Sequence, residues 1–246
     1  MPTNPPTTTA AFYARRGGRV VDWWTLLHPP YTAWHVSYVV IGAALAPRLS
    51  WAMLGATVLA FFLAVGLCAH ALDELHGRPL RTTIPASTLV VLAVVGLAVA
   101  VGLGVAGVAR VGWVLVPFIV AGPALVVAYN AELFGGVVHT DAGFAAAWGA
   151  FPLVTAYVAQ ADGLGVAPVL GAVGAFALSY AQRSLSTPAR MLRRRVTDVR
   201  GAMTLTDGTV RRVDDQLLRV PLERALRALS WGVMALAAAF AVARLH

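Results

Sequence analysis

Between residues 66 and 85, GLCAHALDELHGRPLRTTIP, an apolar run gives way to His70, Asp73, Glu74 and His76 and then to an Arg-Pro turn. His70 and Asp73 are three residues apart and His70 and Glu74 four, so on a helix both carboxylates share the imidazole's face. Imidazole beside carboxylate can move protons near neutral pH or ligate a metal ion. The same spacing also serves a structural hydrogen bond. Further on, NAELFGGVVHTD supplies Glu132, His139 and Asp141, and upstream His28 and His35 stand seven residues apart on one helical face.

The elements that must position these side chains follow from composition. The chain has 246 residues, 59% hydrophobic and 12% charged, with a mean hydropathy of +0.72, whereas soluble domains are about 25% charged. That describes a polytopic, all-α transmembrane helical bundle. A template of about 20 apolar residues places seven spans, at 31–46, 51–72, 86–108, 111–130, 143–161, 165–182 and 226–243. Four parts result. Residues 1–30 form an N-terminal arm and an interfacial helix, with Trp23 and Trp24 of VVDWWTLLHPPY at headgroup depth. Residues 31–182 form a six-span bundle, 183–225 an Arg-rich cap, and 226–246 the C-terminal span. The start, MPTNPPTTTAAFYARRGG, has no apolar core after its basic pair and reads as a disordered arm, not a signal peptide. In the cap, Asp207-Gly208 between alternating residues is a hairpin signal.

All 19 basic residues are arginines. Sixteen fall on one side: those before the first span, Arg78 and Arg81 after the second, and eleven between the sixth and seventh. The positive-inside rule makes that face, and the N-terminus, cytoplasmic, in what is expected to be a prokaryotic plasma membrane. The loop after the fourth span lies on the same side, so five of the six histidines gather there, His246 being the exception. Ionisable groups at the edge of a span are costly and mark sites, so a polar site facing the cytoplasm is expected. The isoelectric point of about 10.7 is explained by this orientation, and without a basic and aromatic recognition motif nucleic acid is excluded as a partner. Cys68, the single cysteine, can form no intrachain disulfide and reads as a small core residue. Gly-rich runs such as GLGVAGVAR indicate close helix packing; no strand precedes them, as a phosphate loop would require. No internal repeat with paired interrupted helices points to a transporter.

A span ending in an acidic cluster, then GRPLRTTIPAS leading into another long apolar helix, resembles the UbiA superfamily of intramembrane prenyltransferases. There an Asn-Asp-x-x-Asp-x-x-x-Asp motif ends the second helix and a basic turn leads into the third. YTAWHVSYVVIGAALA, VVAYN and WGAFPLVTAY are also similar to their counterparts, so the likeness runs in order over residues 30–200. It implies a UbiA-like bundle and an isoprenoid or lipid substrate. Asp73, Glu74, Tyr129 and Asp141 would act in catalysis, the acidic residues with Mg²⁺. Arg78, Arg81, Asn130, Arg190, Arg193 and Arg194 would bind substrate, the arginines gripping its diphosphate. The chain departs from that pattern in two places. Histidines stand where the family has Asp or Asn, and SLSTPARMLRRR replaces the second acidic motif.

Those departures open a second reading. Imidazole suits Fe, Zn or Cu better than Mg²⁺, and helical bundles build di-iron sites from Glu and His at turn spacing. His35, His70, Asp73, Glu74, His76, Glu132 and His139 would then ligate Fe or Zn in a membrane oxidoreductase or hydrolase acting on a lipid. A third reading is a non-catalytic lipid-binding or assembly protein.

Overall fold

The computed structural model describes residues 18–161 and 163–245. The expected N-terminal arm, with Arg15 and Arg16, and His246 lie outside the described residues. The chain begins with α1 (Arg19–Leu27) and α2 (Pro29–Ala44), which meet at His28. His28 has φ 44°, a left-handed conformation that histidine tolerates better than most residues, and prolines at the start of α2 forgo only an amide that would have lacked a partner. Then follow α3 (Trp51–Leu75), α4 (Ala86–Val111) and α5 (Trp113–Asn130). They are followed by α6 (141–158) and α7 (Val166–Arg195), the hairpin β1 (Gly201–Thr204) and β2 (Val210–Val213), and α8 (Asp215–Val242).

Each apolar stretch expected from sequence is helical, and α3, α4, α5 and α8 are long and apolar enough to cross a membrane. At 26 residues, α4 is about 39 Å long and leaves Val90, Val91, Val94, Val95 and Val99 exposed, an outer face that suits lipid and not water. The other helices are shorter, interrupted or charged.

Helix formation continues well beyond the expected ends of the last two spans. α7 runs on to Arg195 and α8 starts at Asp215, so the connection expected over 183–225 is non-helical only over 196–214. The extension of α7 is built largely from good helix formers, Arg, Leu, Met and Ala. At the start of α8, Asp214 accepts from the Leu217 amide at 2.9 Å, a helix cap, and Arg219 then pairs with both Asp215 and Glu223, one turn either side. Asp207-Gly208 sits in the turn of the two-stranded antiparallel hairpin, where Gly208 has φ 84°.

α2 lies at the centre of the bundle. Trp34 and Tyr38 are fully buried, the indole N–H donates to the Tyr38 hydroxyl at 2.8 Å, and the Ser179 hydroxyl of α7 donates to the same oxygen at 3.2 Å. At Gly42 the α2 backbone approaches the Leu153 carbonyl of α6 so closely that no Cβ would fit. The Arg244 guanidinium, just past α8, donates to the Ala44 and Ala46 carbonyls, satisfying acceptors that the end of α2 leaves open.

α3 and α6 each contain a π-helical stretch, Phe62–Ala69 and Ala146–Ala150. Such wider turns are rare and tend to occur at functional sites.

The loop after α3 is folded around Glu74. This residue, expected as a ligand or catalytic group, is fully buried, and its carboxylate accepts from the Leu80 amide at 2.9 Å and from the Thr82 amide and hydroxyl at 2.8 Å each. Arg78 is committed to the same loop, donating to the Ile84 carbonyl at 2.6 Å and to that of Thr82 at 3.4 Å. Asp22 of α1 accepts from the amide and hydroxyl of Thr83. Glu74→Ala would strand three donors and is expected to lower stability by about 3 kcal/mol, read as a depressed Tm in detergent. A loss of function with unchanged Tm would instead make Glu74 a member of the site.

Candidate functional site

One cavity of about 280 Å³ collects most of the residues singled out by chemistry. Helix α2 and its entry supply His28, Tyr31 and His35; α3 supplies His70 and Asp73, and its following loop His76. Tyr129 and Asn130 come from the end of α5, Glu132 and His139 from the loop after it, and Phe144 and Trp148 from α6. α7 forms the remaining wall with Gln182, Arg183, Ser186, Arg190, Arg193 and Arg194.

Four imidazoles are held in the same way. Nδ1 of His28 lies 3.0 Å from the Leu26 carbonyl, that of His35 2.8 Å from Trp148, that of His70 3.0 Å from Gly66, and that of His139 3.0 Å from Tyr129. A carbonyl only accepts, so Nδ1 carries the hydrogen and Nε2 of the neutral ring keeps its lone pair. Gly66 and Trp148 lie in the π-helical turns and Leu26 and Tyr129 at helix ends, places where regular pairing is shifted or unfinished. The His28 and His70 rings stand 4.5 Å apart, and Tyr129 stacks on His139 at 4.4 Å. Burial pushes the His28 pKa down to about 4, and Arg194 and Arg190 act in the same direction. His28 is therefore neutral at pH 7, an acceptor and not a cation.

The arginines divide into two groups. Arg193 and Glu223 are both buried and paired at 3.4 Å, and Arg183 pairs with Asp141 at 3.0 Å and lies over the Phe144 ring at 5.5 Å. Arg194 is exposed and has no ion pair among the described residues.

Both loops at the cavity rim hold non-glycine residues at positive φ: Arg78 and Arg81 in one, Glu132 and Phe134 in the other. Each such residue costs of order 1–3 kcal/mol, and such strain clusters at functional sites.

A second, apolar pocket of about 110 Å³ lies between α3, α4, α5 and α6, lined by Ala64, Leu97, Val126 and Phe151 among others. Val65 and Trp148 line both spaces, so the polar and apolar cavities adjoin.

Of the residues expected at the site, Glu74, Arg78, Arg81 and Asp141 are not among the cavity's lining. The first two anchor the loop, Arg81 is exposed, and Asp141 is held by Arg183. Asp73, Tyr129, Asn130, Arg190, Arg193, Arg194, His35, His70, His76, Glu132 and His139 do line it. Among the described residues no three His, Cys, Asp or Glu side chains form a group able to hold a metal ion. Sequence reasoning assigned no role at the site to Tyr31, Gln182, Arg183 and Ser186, and noted His28 without giving it one. The available signal was the stripe Ser179, Gln182, Ser186 and Arg193, all buried on α7 at helical spacing. Comparison with protein-family models, curated proteins and solved structures finds no match to this chain.

The two kinds of arginine are separable by experiment. Arg193→Ala leaves Glu223 short of a partner and is expected to cost about 3 kcal/mol, while Arg194→Ala leaves the Tm in detergent within one degree or so of wild type. Equal Tm values for both variants would show that the Arg193–Glu223 pair does not support the fold.

Proposed function

We propose that the protein is a seven-span membrane enzyme with a UbiA-like bundle and a cytoplasmic N-terminus, acting on an isoprenoid or other lipid with a phosphate or diphosphate head. The observation that carries this reading is the junction of an Arg-lined polar cavity with an apolar pocket through Val65 and Trp148. Guanidinium groups bind phosphate oxygens through charge-assisted, often paired hydrogen bonds, and Arg190 and Arg194 border the cavity. Should the head depart as diphosphate, the charge it develops would be stabilised by those groups, while the apolar pocket keeps water from the hydrocarbon chain. Mg²⁺ prefers several hard oxygen ligands. Asp73 and Glu132 are the carboxylates lining the cavity, Glu74 being enclosed by its loop, so neutralisation of the head falls mainly to the arginines.

Farnesyl diphosphate titrated into the protein in nanodiscs, with and without Mg²⁺, tests this. Saturable binding is expected, with farnesol far weaker and Arg190→Ala or Arg194→Ala weakening the diphosphate roughly tenfold, the worth of a charge-assisted hydrogen bond. No saturable binding, or binding indifferent to both arginines, overturns the assignment.

A second reading, a lipid-directed oxidoreductase or hydrolase using Fe or Zn, is favoured by the four imidazoles. Metal-bound histidines usually donate their second nitrogen to a carbonyl or carboxylate, and His28, His35, His70 and His139 already do so. His70 and His139, with His35, Asp73, His76 or Glu132 from the same cavity, would hold the ion. The metal would supply Lewis-acid or redox chemistry at the head of the lipid. Elemental analysis of the purified protein beside His70→Ala and His139→Ala decides: near-stoichiometric Fe or Zn lost in both variants establishes the metalloenzyme, and none retained by the folded wild type rejects it.

A further inference from the structure

Two buried polar atoms in the described residues have no hydrogen-bond partner, the Tyr129 hydroxyl and Gln182 Oε1, and both residues line the same cavity. Tyr129 is 5% exposed and Gln182 3%, and each unpaired group at that depth costs about 1–3 kcal/mol. The remaining polar groups of the inner wall are already oriented. Asn130 donates to the Val126 carbonyl at 2.7 Å, and the four imidazoles spend Nδ1 on carbonyls. What is left over is rich in acceptors: the Asp73 carboxylate, Gln182 Oε1 and the second ring nitrogens of His35, His70 and His139.

A fully ionised phosphate offers only acceptors: it can accept from the Tyr129 O–H but cannot donate to Gln182 Oε1. An ammonium group would donate to that oxygen, but it would also face the cations of Arg183, Arg190, Arg193 and Arg194 along α7. A hydroxyl carries no charge. It donates to Gln182 Oε1 while its oxygen accepts from the Tyr129 O–H.

We propose that Tyr129 and Gln182 mark a binding subsite for a hydroxyl group within the same cavity whose arginines take phosphate. This rests on the reading of the cavity as a lipid-phosphate site. The hydroxyl belongs either to the lipid head itself or to a separate hydroxyl compound bound beside it.

The test uses the full-length protein in zwitterionic nanodiscs and two lipids with the same short acyl chains and the same single negative charge. Phosphatidylglycerol carries head hydroxyls and phosphatidylmethanol carries none. Wild type is expected to bind the glycerol lipid about tenfold more tightly, the worth of one or two neutral hydrogen bonds. Gln182→Met, which removes only polar atoms, abolishes that preference and leaves phosphatidylmethanol affinity unchanged, with Tm confirming that the variant folds. Arg190→Ala weakens both lipids alike. If the hydroxyl comes from a separate molecule, free glycerol raises phosphatidylmethanol binding in wild type and not in Gln182→Met. Equal affinities with no effect of glycerol, or absence of saturable binding of either lipid, overturn the subsite, while the phosphate reading stands or falls on the farnesyl diphosphate titration.

Discussion

The hydrogen bond from imidazole Nδ1 to a backbone carbonyl, made four times around one cavity, is the interaction on which the site depends. A backbone carbonyl has two lone pairs and can accept from a side chain as well as from an amide, as Tyr129 does from the Glu132 N–H and from His139. Two of the four carbonyls lie in π-helical turns and two at helix ends. His35 of α2 reaches Trp148 of α6, His139 reaches back to Tyr129 of α5, and His70 and His28 bond to carbonyls within their own segments. Each bond fixes a ring and its tautomer.

The same requirement, that buried polar groups find partners, explains the loop after α3. An apolar helix that ends at a polar rim must turn without stranding its amides, and Glu74 provides the acceptor for three donors at once. Arg78 supplies the complementary donors. Two residues that resemble chemistry in the sequence thereby serve to hold Asp73, His70 and His76 at the cavity wall. Of the four residues at positive φ, Arg78 is held by its own hydrogen bonds to the Thr82 and Ile84 carbonyls.

Charge is arranged by the same logic. α7 turns the stripe Ser179, Gln182, Ser186 and Arg193 inward, and Arg183, Arg190, Arg193 and Arg194 all line the cavity. Glu223 restrains Arg193, and Asp141 restrains Arg183, which leaves the exposed Arg194 as a cation with no ion pair among the described residues. The apolar pocket adjoins this cavity at Val65 and Trp148.

Much of this was legible in the linear chain. Apolar stretches of sufficient length have few alternatives to helix, so the order and approximate position of the helices, and the clustering of histidines near their ends, were determined by local composition. The Asp207-Gly208 turn was legible for the same reason, since a positive φ at Gly208 is a local requirement. Helix lengths at α7 and α8 were not, because the arginines there read as a solvated loop until the pairing of Arg219 with Asp215 and Glu223 is seen. Nor could spacing distinguish Asp73 from Glu74: adjacent carboxylates point in different directions on a helix, and only the packed loop decides that Glu74 turns toward Leu80 and Thr82 while Asp73 lines the cavity. The inward stripe of α7, the π-helical turns and the orphaned atoms of Tyr129 and Gln182 are likewise decided by tertiary structure, because each depends on which carbonyls and side chains distant segments bring within hydrogen-bond reach.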